Sequence, residues 1–235
     1  MKRNNLFIAL VATLLFASCC CKDNTFKVEA LIDNMPDTQF YLVDKMAIEV
    51  IDSTFVTDGV VAFTQQVDTA FEAIIVDATY ATPGMKYHIS DTTVHFSFIA
   101  EPGKSIKIDL NQGLLLEGTP LNNDYIAFNE ANKALNGRMK MLSDSLTVLM
   151  ENNTLTPEDA ENAFYAERDV LNNTFIEQLE ALLPAHTNDI VGAIILNTYL
   201  AKCEDDSRID AVLATMSDYV LKNPAVDRRI QRCRS

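Results

Sequence analysis

The apolar residues change period near residue 118, and that switch restricts the chain to a β-rich half followed by a helical half. From Phe26 to Gly118 the apolar positions alternate in short runs: Phe26 to Ala30, Gln39 to Val43, Thr54 to Val56, Val60 to Phe63, Glu72 to Val76, Val94 to Ala100, Ser105 to Leu110 and Leu114 to Glu117. Turn signals separate them, among them Asp58-Gly59, Pro102-Gly103 and Asn111-Gln112-Gly113. About eight short strands at such spacing predict an antiparallel β-sandwich or barrel. Glu101-Pro102-Gly103-Lys104 has proline second and glycine third, the order a type II turn favours.

Beyond Gly118 the spacing becomes helical. Leu121, Tyr125, Phe128, Leu135, Met139, Leu142, Leu146 and Leu149 follow one another by three, four or seven positions, with Asn132 filling the missing place. That stripe writes a helix of about thirty residues. Thr156-Pro157-Glu158-Asp159 opens a second helix, with Thr156 as N-cap, proline in the first turn and acids at the positive end of the dipole. Its apolar face carries Phe164, Leu171, Phe175, Leu179 and Leu182. Ile190 to Leu200 is nearly all apolar and predicts a helix buried on most sides. A last long helix is expected from Ser207, using Ile209, Val212, Leu213, Met216, Tyr219 and Val220. The two long amphipathic helices should form an antiparallel hairpin packed on the others. The stripe reads as core, and a partner groove between hairpin and sandwich is the alternative, to be seen as an exposed apolar patch. The expected fold class is therefore α+β.

Residues 1–18 read as an export signal. Lys2 and Arg3 precede an apolar run from Leu6 to Phe16, and Ala17-Ser18 lead into Cys19. The run is short for a bilayer-spanning helix and has the basic, apolar, small-residue order of a cleaved signal. An ordinary secretory signal or an uncleaved membrane helix is the plainer alternative. A cysteine directly after the small pair favours lipidation at Cys19, with Cys20 and Cys21 left on a tether. Anchoring then comes from acyl chains, each buried methylene contributing roughly 0.8 kcal/mol. The expected organisation is thus a signal over 1–18, a tether over 19–25, a sandwich over 26–118 and a helical region over 119–235. The expected address is the cell envelope, on the outer membrane, because the residue after Cys19 is not the aspartate that retains some lipoproteins at the inner membrane. Which face receives the anchor stays open.

The net charge of −14 becomes more negative once Lys2 and Arg3 leave with the signal, so the mature body should avoid nucleic acid and bare anionic membrane surface. With 48% of the chain apolar, a real core is expected. Past the anchor triplet only Cys203 and Cys233 remain. In an oxidising compartment they are a candidate disulfide worth roughly 2–4 kcal/mol, but neither spacing nor flanks require it, and two independent thiols are the plainer reading.

Two segments carry a family pattern. Ile51-Asp52-Ser53-Thr54-Phe55-Val56-Thr57-Asp58-Gly59-Val60-Val61-Ala62-Phe63 resembles D-S-T/A-x-V-x-D-G-x-F-x-F, and Leu116-Glu117-Gly118-Thr119-Pro120-Leu121-Asn122-Asn123-Asp124-Tyr125 resembles L-x-G-T/S-x-x-N-x-x-Y/W. Together they are similar to a domain of unknown function found at the N-terminus of envelope thiol-disulfide oxidoreductases. There a lipoprotein signal precedes a β-sandwich, a helical region and a thioredoxin-like or peroxiredoxin-like domain. The resemblance covers residues 25–135, and the helical remainder only in layout. That last domain is expected to be absent here. No Cys-x-x-Cys occurs, so the family's nucleophile maps onto no residue. What the resemblance implies is architectural: Asp58 and Gly59 in a hairpin turn, Asp52 and Ser53 at strand entry, and Gly118 to Asn122 at the junction. Gly118 is expected to adopt a backbone angle denied to other residues, and Thr119 or Asn122 to cap the next helix.

No catalytic constellation is assembled by the sequence. His88 and His95 lie in different strand segments and His186 in an interhelical loop, so metal-ligand spacing is missing and no metal is expected. Glu204-Asp205-Asp206 with Asp210 is a weak calcium candidate, and the plainer role for acids before Ser207 is to favour a helix N-terminus. Nucleophile elbows and glycine-rich phosphate loops do not occur. The end Asp227 to Arg234 gathers four arginines, read as a solvated helix end or as a contact to an acidic partner or to the protein's own acidic surface. The expected function is that of a lipid-anchored, non-catalytic binding or structural module without a cofactor. An accessory to a separate envelope thiol-disulfide oxidoreductase is one alternative, and an unrecognised ligand-binding or hydrolytic cleft between sandwich and helices is the other.

Overall fold

The structure is a computed structural model and describes residues 24–35, 37–78 and 94–234. Eight strands come first: β1 (Thr25–Leu31), β2 (Gln39–Asp44), β3 (Glu49–Phe55), β4 (Val60–Gln66), β5 (Phe71–Asp77), β6 (His95–Ala100), β7 (Ser105–Asp109) and β8 (Leu114–Glu117). They form two four-stranded sheets, ordered β4-β1-β7-β8 and β3-β2-β5-β6. Phe26, Val28, Phe63 and Ile108 of the first sheet meet Phe40, Leu42, Ile75 and Phe98 of the second in one buried apolar cluster. Alternation drives this closure, since β1 buries every second side chain while Lys27 and Glu29 face outward.

The sandwich is not purely antiparallel. β1 and β7 run parallel, with Lys27 opposite Ser105 and Leu31 opposite Asp109. The cause is the turn Glu101–Lys104, which returns the chain from β6 to the other sheet at the pole where β1 starts. There the Lys27 N–H donates to the Lys104 carbonyl at 3.0 Å. Gly103 has φ 69° and the Lys104 N–H donates to the Glu101 carbonyl at 3.2 Å, giving the type II turn. At Asp58-Gly59 both residues have positive φ, 51° and 75°, and Thr57 and Val60 exchange both backbone hydrogen bonds. This tight two-residue hairpin carries the chain from one sheet to the other.

Helices α1 (Pro120–Glu151) and α2 (Pro157–Leu182) form the long hairpin. A 3₁₀ turn over Leu183–Ala185 leads to α3 (Ile190–Lys202), the most buried helix. Thr119, Thr156 and Asp189 cap the three, their side chains accepting from Asn122, Asp159 and Gly192 N–H groups. Gly192 is needed sterically, because a Cβ there would lie 1.7 Å from the His186 carbonyl oxygen. The α1 stripe is buried at Tyr125, Phe128, Leu135 and Leu146, but Leu149 is 37% exposed.

The expected last long helix is instead three short ones, α4 (Asp206–Leu213), α5 (Asp218–Leu221) and α6 (Pro224–Cys233). Two local features break it. The Ser217 N–H leaves the helical path to donate to the Thr187 carbonyl at 2.9 Å. Asn223 then caps Ala225 while Pro224, which lacks an N–H, can only begin a helix. The helical core gathers Tyr125, Phe175, Leu179, Leu196, Tyr199 and Val226, and it includes Ile99 of β6. The helices thus pack on the outer side of the second sheet at Ile99 of β6 and Glu72 of β5, while Ile74 and Val76, outward on β5, are buried in a separate small cluster with Val43.

Candidate functional site

The chemistry-bearing side chains concentrate where the helices meet the sandwich. Among the described residues β6 ends its sheet, so its outward N–H and C=O groups need partners. Asn122 supplies both: its Oδ1 accepts from the Ile99 N–H at 2.8 Å and its Nδ2 donates to the Ile99 carbonyl at 2.9 Å. The fully buried amide acts as one residue of a missing strand. Thr119 Oγ1 accepts from the Asn122 N–H at 3.1 Å and donates to the Glu101 carboxylate, to which Asn122 Nδ2 also donates at 3.2 Å. Gly118 does not adopt the left-handed angle expected of it. Its lack of a side chain instead admits Leu115, whose Cδ2 would lie 2.3 Å from a Cβ there.

A second polar group pins α1 one turn later. Glu72 interrupts the apolar run of β5 and is buried. Its Oε1 accepts from the Tyr125 hydroxyl at 2.5 Å and from Lys45 Nζ, and Lys45 also reaches the Tyr125 oxygen at 3.4 Å. Burial, then the neighbouring Glu72 charge, pushes the Tyr125 phenol above its ordinary value.

His186 is buried between two carboxylates, with Nδ1 2.9 Å from Asp189 and Nε2 3.5 Å from Asp124. An aspartate on one imidazole nitrogen is how a general base is oriented, yet the other nitrogen must then face a nucleophile or substrate. Here it faces Asp124, and Asp189 also caps α3 through the Gly192 N–H at 2.9 Å. The ring therefore ties α1 to α3. A cleft of about 710 Å³ lies beside it, lined by Glu101, Lys104, Thr119, Asp124 and His186.

The remaining sequence candidates are dispersed. Cys19 and His88 lie outside the described residues. Asp52 accepts from the Ser53 N–H at 2.8 Å and from Gln65 Nε2 at 2.5 Å, linking β3 to β4 across the side closed by the Asp58-Gly59 hairpin. His95 is an exposed residue of β6. Cys203 and Cys233 are free thiols, one buried and one exposed. Cys203 Sγ points to the Asp205 carbonyl at 3.8 Å and Cys233 Sγ to the Leu200 carbonyl at 3.4 Å. In the acidic run Asp205 caps α4, accepting from the Ser207 and Arg208 N–H groups. The arginine-rich end forms α6, buried through Val226, and Arg234 reaches Asp210 at 3.5 Å.

Three features escaped the sequence reading. One is the Lys45-Glu72-Tyr125 group, whose only signal is a carboxylate inside an apolar strand. Another is Glu180, which accepts both Arg208 nitrogens (2.9 and 2.8 Å) and the Tyr199 hydroxyl (2.9 Å), Arg208 holding its carboxyl below the usual range. The third is the lining of a cleft that the sequence left open between sandwich and helices: an apolar one of about 700 Å³ against α5–α6, lined by Met46, Ala47, Phe71, Tyr219, Lys222 and Arg228. No family model, no curated protein and no solved structure matches this chain.

Proposed function

We propose that the protein is an exported envelope protein, acylated at Cys19 on the outer membrane, whose body is a non-catalytic binding or structural module. The observation that carries the non-catalytic part is how the buried polar groups at the sandwich–helix junction are used. Asn122, Glu72, Tyr125 and His186 each hold one element to another through their polar side-chain atoms. The anchor reading rests on the signal order and on Cys19 lying just before the first strand. Among the described residues no helix is long and apolar enough to cross a membrane.

The test is mass spectrometry of the native protein with fractionation of its envelope. A mature N-terminus at Cys19 bearing acyl chains, lost from the membrane fraction in Cys19→Ala, supports the reading. A non-acylated N-terminus at another position removes it.

Service to a separate envelope thiol-disulfide oxidoreductase is the second reading. It is favoured by exposed apolar residues on the hairpin, Met141 and Val148 of α1 with Tyr165 and Val170 of α2. Crosslinking in the envelope with the protein as bait tests it. Recovery of a thioredoxin-like protein that Met141→Glu and Val170→Glu abolish supports this role, and recovery unaffected by those changes counts against the hairpin as its contact.

A further inference from the structure

We infer that the pole at which β1 begins is seated on the bilayer, and that the apolar cleft between the sandwich and α5–α6 is its lipid contact. This rests on the anchor reading above. Five peptide steps separate Cys19 from Asn24, and a chain of that length spans at most about 18 Å. Whatever path those residues take, acyl chains on Cys19 hold Asn24 within that distance of the lipid.

Hydrogen bonding and strand register show which elements share this pole. The Val67 N–H donates to the Asn24 carbonyl at 3.0 Å, which places the connection from β4 to β5 beside the start of β1. The turn before β7 lies there too, through Lys27 and Lys104. β2 pairs antiparallel with β5, and Asp44 opposite Ala73 brings the turn after β2 to the same end. The apolar cleft opens between these segments and the last helices. Thr69, Ala70 and Phe71 follow Val67 by only two to four residues, and Met46 and Ala47 follow Asp44.

The chemistry of this pole suits a phospholipid headgroup layer. Ile48 is 59% and Tyr219 42% exposed, where a water-facing surface would favour polar residues. A tyrosine at the same pole as an exposed aliphatic side chain sits well at a membrane interface, and long cationic side chains reach headgroup phosphates from an apolar base. Lys222 and Arg228 occupy those positions on the cleft. Lys222 also pairs with Asp218 at 2.7 Å, and Asp44 lines the cleft, so the phosphate contact falls chiefly to Arg228. Cations here matter because the chain as a whole carries −14 and is repelled by anionic lipid over a longer range. Close to the anchor, short-range apolar and headgroup contacts outweigh that screened repulsion.

The chain has no tryptophan, so a single introduced one reports its own surroundings. Tyr219→Trp places it at the cleft. Val148→Trp, at an exposed site 28 residues into α1, places it roughly 42 Å along the helix from Pro120. The mature lipidated protein is inserted into phosphatidylcholine vesicles containing phosphatidylglycerol, with and without bromine on the acyl chains. The expected result is a blue-shifted Y219W emission quenched by roughly half or more, as for an interfacial aromatic, with V148W emission unchanged. Arg228→Glu in the Y219W background should reduce that quenching several-fold while the acyl anchor keeps the protein on the vesicles. Vesicle-bound, acylated protein in which Y219W is quenched no more than V148W overturns the inference and leaves the anchor reading standing. Y219W emission that is blue-shifted but unquenched also overturns it, by placing something other than bilayer lipid in the cleft. Protein that lacks acyl chains on Cys19 and does not float with the vesicles removes both.

Discussion

Replacing Asn122 by leucine should destabilise the protein by about 3–5 kcal/mol, a large share of the 5–15 kcal/mol that holds a typical domain folded. The estimate comes from what the amide leaves behind. Leucine keeps the branched shape with bulkier ends, so it leaves no cavity and adds some crowding. The Ile99 N–H and carbonyl, now bonded at 2.8 and 2.9 Å, would be buried without partners. Each orphaned group costs about 1–3 kcal/mol, and loss of the donor to Glu101 adds to this because that acceptor is charged. The added apolar surface of leucine offsets part of the total. Urea unfolding followed by circular dichroism gives the difference, provided the slope with denaturant stays constant. Amide exchange at Ile99, read by mass spectrometry of the peptide that contains it, should accelerate more than exchange in β1. A loss below about 1 kcal/mol with unchanged exchange at Ile99 would refute the idea that Asn122 stands in for a strand. Asn122→Asp separates geometry from polarity. It keeps the acceptor but turns the donor into an anion facing the Ile99 carbonyl and Glu101, so its deficit should shrink on acidification as the new carboxyl gains a proton.

Other consequences are as direct. Tyr125 and Tyr199 are both pushed above the ordinary phenol value, first by burial. Both should stay protonated in a spectrophotometric titration until the alkaline transition, and stability should fall as pH climbs past 10, where only unfolded chains ionise them. Titration of both together with the exposed phenols would contradict the packing. Glu180 behaves in the opposite sense: Arg208 lowers its folded value below the ordinary 4.5, so its contribution is complete above that pH and is lost as pH falls through the lower folded value. The stability gap between wild type and Glu180→Gln should therefore narrow in acid, and a gap that widens would be inconsistent with the Arg208 bond. With Cys20→Ser and Cys21→Ser in place, a thiol reagent should modify Cys233 in the folded protein and Cys203 only in denaturant. Failure of either to react after unfolding without reductant would indicate a disulfide.

The elements that periodicity alone specifies were legible before the structure. Each of the eight alternating runs became a strand, and the Thr119, Thr156 and acidic pre-Ser207 signals mark true helix starts. What failed is instructive. Ile209, Val212, Leu213, Met216 and Val220 share a helical spacing, yet the chain breaks between them because the Ser217 N–H donates to a carbonyl of a distant loop. A stripe cannot report a hydrogen bond to Thr187, thirty positions earlier. The parallel β1–β7 pair was hidden for the same reason, since pairing direction follows from which pole the chain returns to rather than from the pattern within either strand. The polar group at Glu72 left a trace in its odd place within β5, but its partners come from a turn and a helix far along the chain.

The segments over residues 51–63 and 116–125 both lie at sheet edges. A sandwich of two open sheets has exposed edges that invite pairing with other chains. Along the β3–β4 side, Asp58-Gly59 makes the hairpin that joins the two sheets, and Asp52 holds Gln65 across the gap. On the far side of the second sheet, β6 would remain open, and Asn122 closes it with a side-chain amide delivered by the first turn of α1. Thr119 fixes that turn, and Gly118 lets Leu115 close beneath it. Asp52, Asp58, Gly59, Gly118, Thr119 and Asn122 are therefore occupied in closing the sheet edges. Further side chains line the clefts beside those seals, at the pole where β1 begins.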